Sequence, residues 1–185
     1  MRRVIDTHVH LYPPRRLRGL MRWVHRGVPG HPVPADITVE DVVADLGAAG
    51  VEAFFAAVFP LVPGEARGLN RFNAELARRV PGMIALGTAH QDDDPGAVAA
   101  EALGPLGLKG IKLHPMAMKM APADPRMAQV YALAQEAGRP VLVHTGFEEG
   151  YGRAPDKEQW EAVLGISPGN RNAEMYMKLA GTGGA

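Results

Sequence analysis

The sequence predicts an α/β fold on a parallel sheet: an incomplete TIM-type (β/α) barrel, with about five strands, flanking helices and a helical C-terminal tail. Three observations predict it. Five short apolar runs recur along the chain, each followed by a segment read as helical. The runs are nearly continuous in apolar residues, as parallel strands covered on both faces are. Polar residues gather where the runs end, at His8 and His10, His90, His114 and His144, and the carboxyl ends of parallel strands are where such sheets hold ligands.

The elements follow in order. The first strand is expected at residues 4–8, an extra helix at 15–25 and a rigid, irregular loop at 27–34 (GVPGHPVP). Thr38 is placed to cap a helix over 39–49, whose stripe is Val42, Val43 and Leu46 and whose stop is Gly50. The second strand is expected at 51–59. A helix over 69–80 then aligns Phe72, Leu76 and Val80 on one face and ends at Pro81-Gly82. Strands at 83–89 and 110–113 come next. A helix over 126–137 carries Val130, Leu133 and Ala134, and the fifth strand is expected at 140–144.

Residues 1–152 are therefore assigned to a partial barrel and 153–185 to a tail. The tail reads as helices at 156–164 and 170–180 about a turn at Ser167-Pro168-Gly169. Eight βα units usually take about 250 residues, so this 185-residue chain is expected either to be completed by another copy or to lack a piece. A doubly wound nucleotide-binding sheet, flavodoxin-like modules included, would need a glycine-rich phosphate loop after a strand. No such loop is found.

Composition narrows the function classes. Twenty basic and twenty acidic side chains cancel, giving no electrostatic case for nucleic acid or an anionic membrane as partner. With no cysteine, disulfides and thiolate metal sites are excluded, and any metal must be held by His and carboxylate. Met1-Arg2-Arg3 leads into a strand without a signal-peptide core, and the longest apolar stretch, 53–63, is short and contains proline. A soluble cytoplasmic protein is expected.

The first strand carries Asp6-Thr7-His8-Val9-His10. Alternation along a strand turns Asp6, His8 and His10 to one side, and two imidazoles so spaced can grip one ion. His144 ends the fifth strand, and three protein ligands plus water is the usual arrangement of catalytic zinc. The plainer reading of His8 and His10 is a pair of capping or core histidines near a strand end, and that of His144 is a strand-end histidine bonded to a backbone carbonyl. Lys112 and His114 share a face of the fourth strand and are candidate substrate-binding residues. Lys112 would alternatively be a carbamylated bridge between two metals. In the plainer reading, Lys109 and Lys112 snorkel from a strand edge and His114 is scaffold before Pro115. His90 stands beside Asp92-Asp93-Asp94, which reads as a loop and helix N-cap. His25 and His31 are expected at the surface. Met116, Met118 and Met120 are expected as packing rather than a lid. Arg15, Arg16 and Arg18 either reach a substrate carboxylate or are solvated.

Together, VIDTHVHL at 4–11, GLKGIKLHP at 107–115 and PVLVHTG at 140–146 resemble the amidohydrolase superfamily. More narrowly they resemble its amidohydrolase-related subgroup, which includes aminocarboxymuconate-semialdehyde decarboxylase-like enzymes. The resemblance spans about residues 1–152. It implies a (β/α)₈ barrel with a divalent metal, often zinc, at the strand carboxyl ends. His8 and His10 would be its first-strand ligands and His144 its fifth-strand ligand. It also implies a catalytic sixth-strand His and an eighth-strand Asp that binds metal and handles a proton. This sequence has neither: no His follows His144, and the only later Asp is Asp156. The segment from Val163-Leu164-Gly165 to Asn170-Arg171-Asn172-Ala173-Glu174 resembles the family's C-terminal region, which implies an internal deletion near 153–160. Sequencing the encoding locus tests this, and an unbroken frame with close relatives of equal length would sink it.

The function expected is that of a metal-dependent hydrolase acting on a small carboxylated, amide or lactone substrate, with a non-oxidative decarboxylase as the alternative. The rival from another class is an inactive remnant or interaction protein whose uncovered strand faces drive homo-oligomerisation.

Overall fold

The computed structural model describes residues 3–144, and a parallel sheet orders them. Strand β1 (Val4–Val9) leads into α1 (Pro14–Gly27), α2 (Val39–Ala48) precedes β2 (Val51–Ala56), and α3 (Glu65–Ala77) precedes β3 (Met83–Ala85). Then come α4 (Pro95–Leu103), β4 (Ile111–Leu113), the single turn α5 (Pro115–Met118), α6 (Ala128–Glu136) behind a 3-10 turn at Pro125–Met127, and β5 (Val141–Val143). The expected tail helices and the second part of the domain division lie outside the described residues.

β1, β2 and β3 form one parallel ladder and β4 and β5 another. Gly87 joins the two: its N–H donates to Gly110 O at 2.8 Å, and its carbonyl accepts from Lys112 N at 2.7 Å. The wall thus runs β1-β2-β3-β4-β5 without the reversal of order that marks a doubly wound sheet. It is the open arc of a barrel, unclosed among the described residues.

Local chemistry starts each helix. Pro14 opens α1 at a position where a missing N–H costs nothing. Thr38 and Asp41 form a reciprocal capping box on α2. Asp94 accepts from Ala97 N at 3.0 Å to cap α4, so the acid run does announce a helix. Helix α4 itself is not among the expected helices, because its core face is made of Val98, Ala99 and Ala102, too small to print an apolar stripe. Outward of the sheet, α4 packs on α3 and α6 over a core that includes Leu69, Val98, Leu108, Ile111 and Val130.

The strands are shorter than their apolar runs. Residues 57–59 and 86–89 leave the regular ladder yet stay buried, since apolarity records burial and not hydrogen bonding. Where the ladder lapses, side chains of α3 replace it. Asn73 Nδ2 donates to Ala56 O at 3.2 Å and Leu86 O at 2.8 Å. Asn70 exchanges two bonds with the Thr88 backbone, and Thr88 Oγ1 donates to Lys112 O at 2.8 Å. Burial on both faces is corrected for β1, where Val4 and Ile5 are 43% and 57% exposed; among the described residues β1 is an edge with only β2 beside it. Among the described residues no helix is long and apolar enough to cross a membrane.

Candidate functional site

β1 places Val9 in the core and turns its neighbours His8 and His10 the other way. The two rings meet edge to face, with Nε2 of each 3.1 Å apart. His10 Nδ1 lies 2.9 Å from Ala57 O at the end of β2. A carbonyl only accepts, so Nδ1 carries the proton and Nε2 offers its lone pair toward His8. The spacing is one that a single ion spans with metal–nitrogen bonds of about 2.0–2.1 Å, so this pair fits a metal. Asp6 does not join it: its Oδ1 accepts the backbone N–H of His8 at 2.9 Å. Tyr12 stacks on His10 at 6.1 Å and Phe59 meets it edge-on at 5.5 Å.

A second pair forms at β4 and β5. His114 and His144 stack with centroids 3.9 Å apart and planes 13° from parallel, and Phe59 covers His114 at 4.3 Å. His114 Nδ1 accepts from Ala117 N at 3.3 Å and caps α5, as its position before Pro115 suggested. His144 has thus turned onto His114. Among the described residues no three His, Cys, Asp or Glu side chains stand together ready for a metal. Of the expected triad, His8 and His10 are joined, and His144 stands in a second pair reached from His10 through Phe59 and His114.

Lys112 is fully buried, which corrects the reading in which it snorkels from a strand edge; exposed Lys109 does fit that reading. Its charge reaches both pairs. Burial first, then the charges of His8, Lys112 and His144, push the His10 pKa down to about 4 against the opposing Ala57 carbonyl. Burial, then His144, Lys112 and His10, push His114 down to about 3. Burial and Lys112 also lower His8, while Asp6 opposes them. These three imidazoles are therefore neutral at neutral pH, the form that ligates metals.

The other candidates are mostly scaffold. His90 is buried, and its Nδ1 accepts from Asp92 N at 3.2 Å. Asp92 pairs with Arg126, Asp93 accepts from Gly64 N, and Asp94 caps α4. His25 is not simply a surface residue: half-buried, it bonds Val33 O at 2.8 Å and pins the loop. Met118 and Met120 are core and Met116 is half-buried, as packing requires. Arg15 and Arg18 are exposed, whereas Arg16 lies over the Tyr12 ring at 5.1 Å. Sequence reasoning missed Tyr12 and Phe59. Tyr12 had a signal, two residues beyond His10; Phe59 sits anonymously at the end of an apolar run.

A parallel open arc with histidines at its carboxyl ends defines the class, and the chain belongs to it. The family model described as Amidohydrolase matches residues 5–180, so this is an amidohydrolase-family chain. Among solved structures it resembles 5-carboxyvanillate decarboxylase from Sphingomonas paucimobilis, with TM-score 0.57 and 20% identity over 77% of this chain and 51% of that one. It also resembles the enzyme of that name from Novosphingobium aromaticivorans, solved with manganese and 3-methoxy-4-hydroxy-5-nitrobenzoic acid (TM-score 0.60, 19% identity, 99% of this chain and 56% of that one). A third likeness is to a structure described as an amidohydrolase II (TM-score 0.57, 19% identity, 95% and 56% coverage). At such identities the shared property is the fold. The chain spans about half the length of these structures. No curated protein matches its sequence.

Proposed function

We propose that the chain is a metal-dependent hydrolase of the amidohydrolase type, acting on a small carboxylated, amide or lactone substrate. His8, His10 and His144 hold one divalent ion, zinc, and Lys112 and His114 bind the substrate. The observation that carries this reading is the His8–His10 pair, with Nε2 atoms 3.1 Å apart and the His10 tautomer set by Ala57 O. When bound, the metal supplies hydroxide near neutral pH or polarises a carbonyl. The chain's own groups do the rest. Lys112 places a buried positive charge beside the pair, where a developing oxyanion or a carboxylate is favoured. Neutral His114, with Nδ1 engaged by Ala117 N, keeps its proton on Nε2 as a donor. Phe59 and Tyr12 pack against His10 and hold its ring in place. No residue is assigned to general base chemistry, the loss of which costs roughly 10²–10⁴ in rate.

Elemental analysis of the purified chain tests the site. Near-stoichiometric zinc is expected, and its loss in the H8A/H10A double variant; a wild-type chain that takes up no divalent metal overturns the reading and favours the non-catalytic remnant. Chelator-sensitive turnover of esters or lactones supports hydrolysis. A second reading, non-oxidative decarboxylation, is favoured by the buried Lys112 cation, which suits a substrate carboxylate. Carbon dioxide release without hydrolytic product would select it.

A further inference from the structure

Of the three arginines that follow the first strand, Arg16 alone is drawn inward. Arg15 and Arg18 are exposed, while the Arg16 side chain is 21% exposed. Its guanidinium carbon lies 5.1 Å from the centre of the Tyr12 ring, and Tyr12 stacks on His10 at 6.1 Å with planes 18° apart. A positive charge is thus held one aromatic ring from the histidine pair. Its Nε is sealed from solvent and has no hydrogen-bond partner among the described residues. The nearest carboxylate, Glu65, stands 4.0 Å away, beyond hydrogen-bonding length, and is itself engaged by Leu61 N at 2.7 Å. Glu65 holds the guanidinium by charge without occupying its donors. A planar fork of donors so placed suits a carboxylate, which it grips with two parallel bonds.

We propose that Arg16 anchors a substrate carboxylate across Tyr12, so that the substrate is a small acid carrying that carboxylate about one ring's length from the group that reaches His8 and His10. The proposal rests on the metal-site reading above and adds to it a substrate class and a specificity-determining residue.

The test titrates the zinc-loaded full chain with two probes, terephthalate and benzoate, by calorimetry. Benzoate has one carboxylate for the metal end, and terephthalate has a second across the ring. Terephthalate is expected to bind about tenfold more tightly, the scale of a charge-assisted hydrogen bond. Arg16→Gln should abolish that preference, Arg16→Lys should keep part of it, and neither should change benzoate or zinc affinity. A wild-type chain with no preference, or an Arg16→Gln chain that keeps it, overturns the proposal and leaves Arg16 as a clamp between α1 and α3. If Arg16→Gln does not fold, Glu65→Gln decides. Removing the competing carboxylate should tighten terephthalate severalfold with benzoate unchanged, and no change overturns the proposal. Titrating the metal-free chain separates the two readings. Failure to take up zinc with an Arg16-dependent preference intact overturns the histidine site alone; zinc uptake without the preference overturns the anchor alone.

Discussion

At the scale of single residues, the site joins buried imidazoles to a buried lysine. Burial first, and the Lys112 charge with it, lowers the pKa of His8, His10 and His114, so Lys112→Met should raise all three part of the way toward the ordinary value. NMR titration of the metal-free chain reads this directly; unchanged midpoints would show that Lys112 does not act on them. The same depression makes stability depend on pH. His10 takes up its proton near pH 4 when folded and near 6.5 when unfolded. Between those values the unfolded chain binds more protons, so stability is complete above about pH 6.5 and falls on acidification toward 4. His10 alone accounts for on the order of 3 kcal/mol of this loss. Denaturant melts of metal-free protein at pH 7 and 4.5 should show it, and His10→Gln should flatten the dependence. The His8–His10 pairing was legible in the sequence because strand alternation alone puts both rings on one side. The partner of His144 was not, because β4–β5 register and the turn at Pro115 decide which ring it meets.

At the scale of elements, the sequence located four of the six helices and all five strands among the described residues, and it misjudged where hydrogen bonding stops. Apolar runs mark the walls of a core; they do not say where a ladder ends. The seam formed by Asn70 and Asn73 shows why. Both lie on the buried face of α3, where a polar residue looks like an error in the apolar pattern, yet they bind backbone carbonyls where β2 and β3 end. Asn73→Leu keeps the volume and removes both bonds to Ala56 O and Leu86 O. Ala56 O keeps the Leu86 N–H as a donor, so the cost falls on Leu86 O and should be about 1–3 kcal/mol, the scale of one unsatisfied buried acceptor, read as a lower thermal midpoint. Gly110 is an equally local constraint. A Cβ there would lie 2.6 Å from Pro140 O, the carbonyl that accepts from Ile111 N to start the β4–β5 pairing. Gly110→Ala should therefore cost about 1–3 kcal/mol and displace His144 from His114. Changed ring-current shifts of the His114 and His144 imidazole protons would report the latter, and a melt indistinguishable from wild type would refute the strain.

At the scale of the whole molecule, the arc has an interior and an edge, and they differ in chemistry. β4 is buried at all three positions and pairs with β5 on one side and with Gly87 on the other. Among the described residues β1 pairs only with β2 and leaves Val4 and Ile5 in contact with solvent. An unpaired strand edge beside exposed apolar side chains is a surface that invites another strand. This gives the homo-oligomer reading its physical content. Hydrogen exchange on the full chain measures it strand by strand. If the described arc stands alone, the outer-edge amides of β1 should exchange orders of magnitude faster than those of Lys112 and Ile111, whose N–H groups donate to Gly87 O and Pro140 O. Protection of β1 equal to that of β4 would mean that the edge is covered. Its dependence on protein concentration then identifies the cover: protection that falls on dilution is supplied by a second copy, and protection that persists is supplied within the chain.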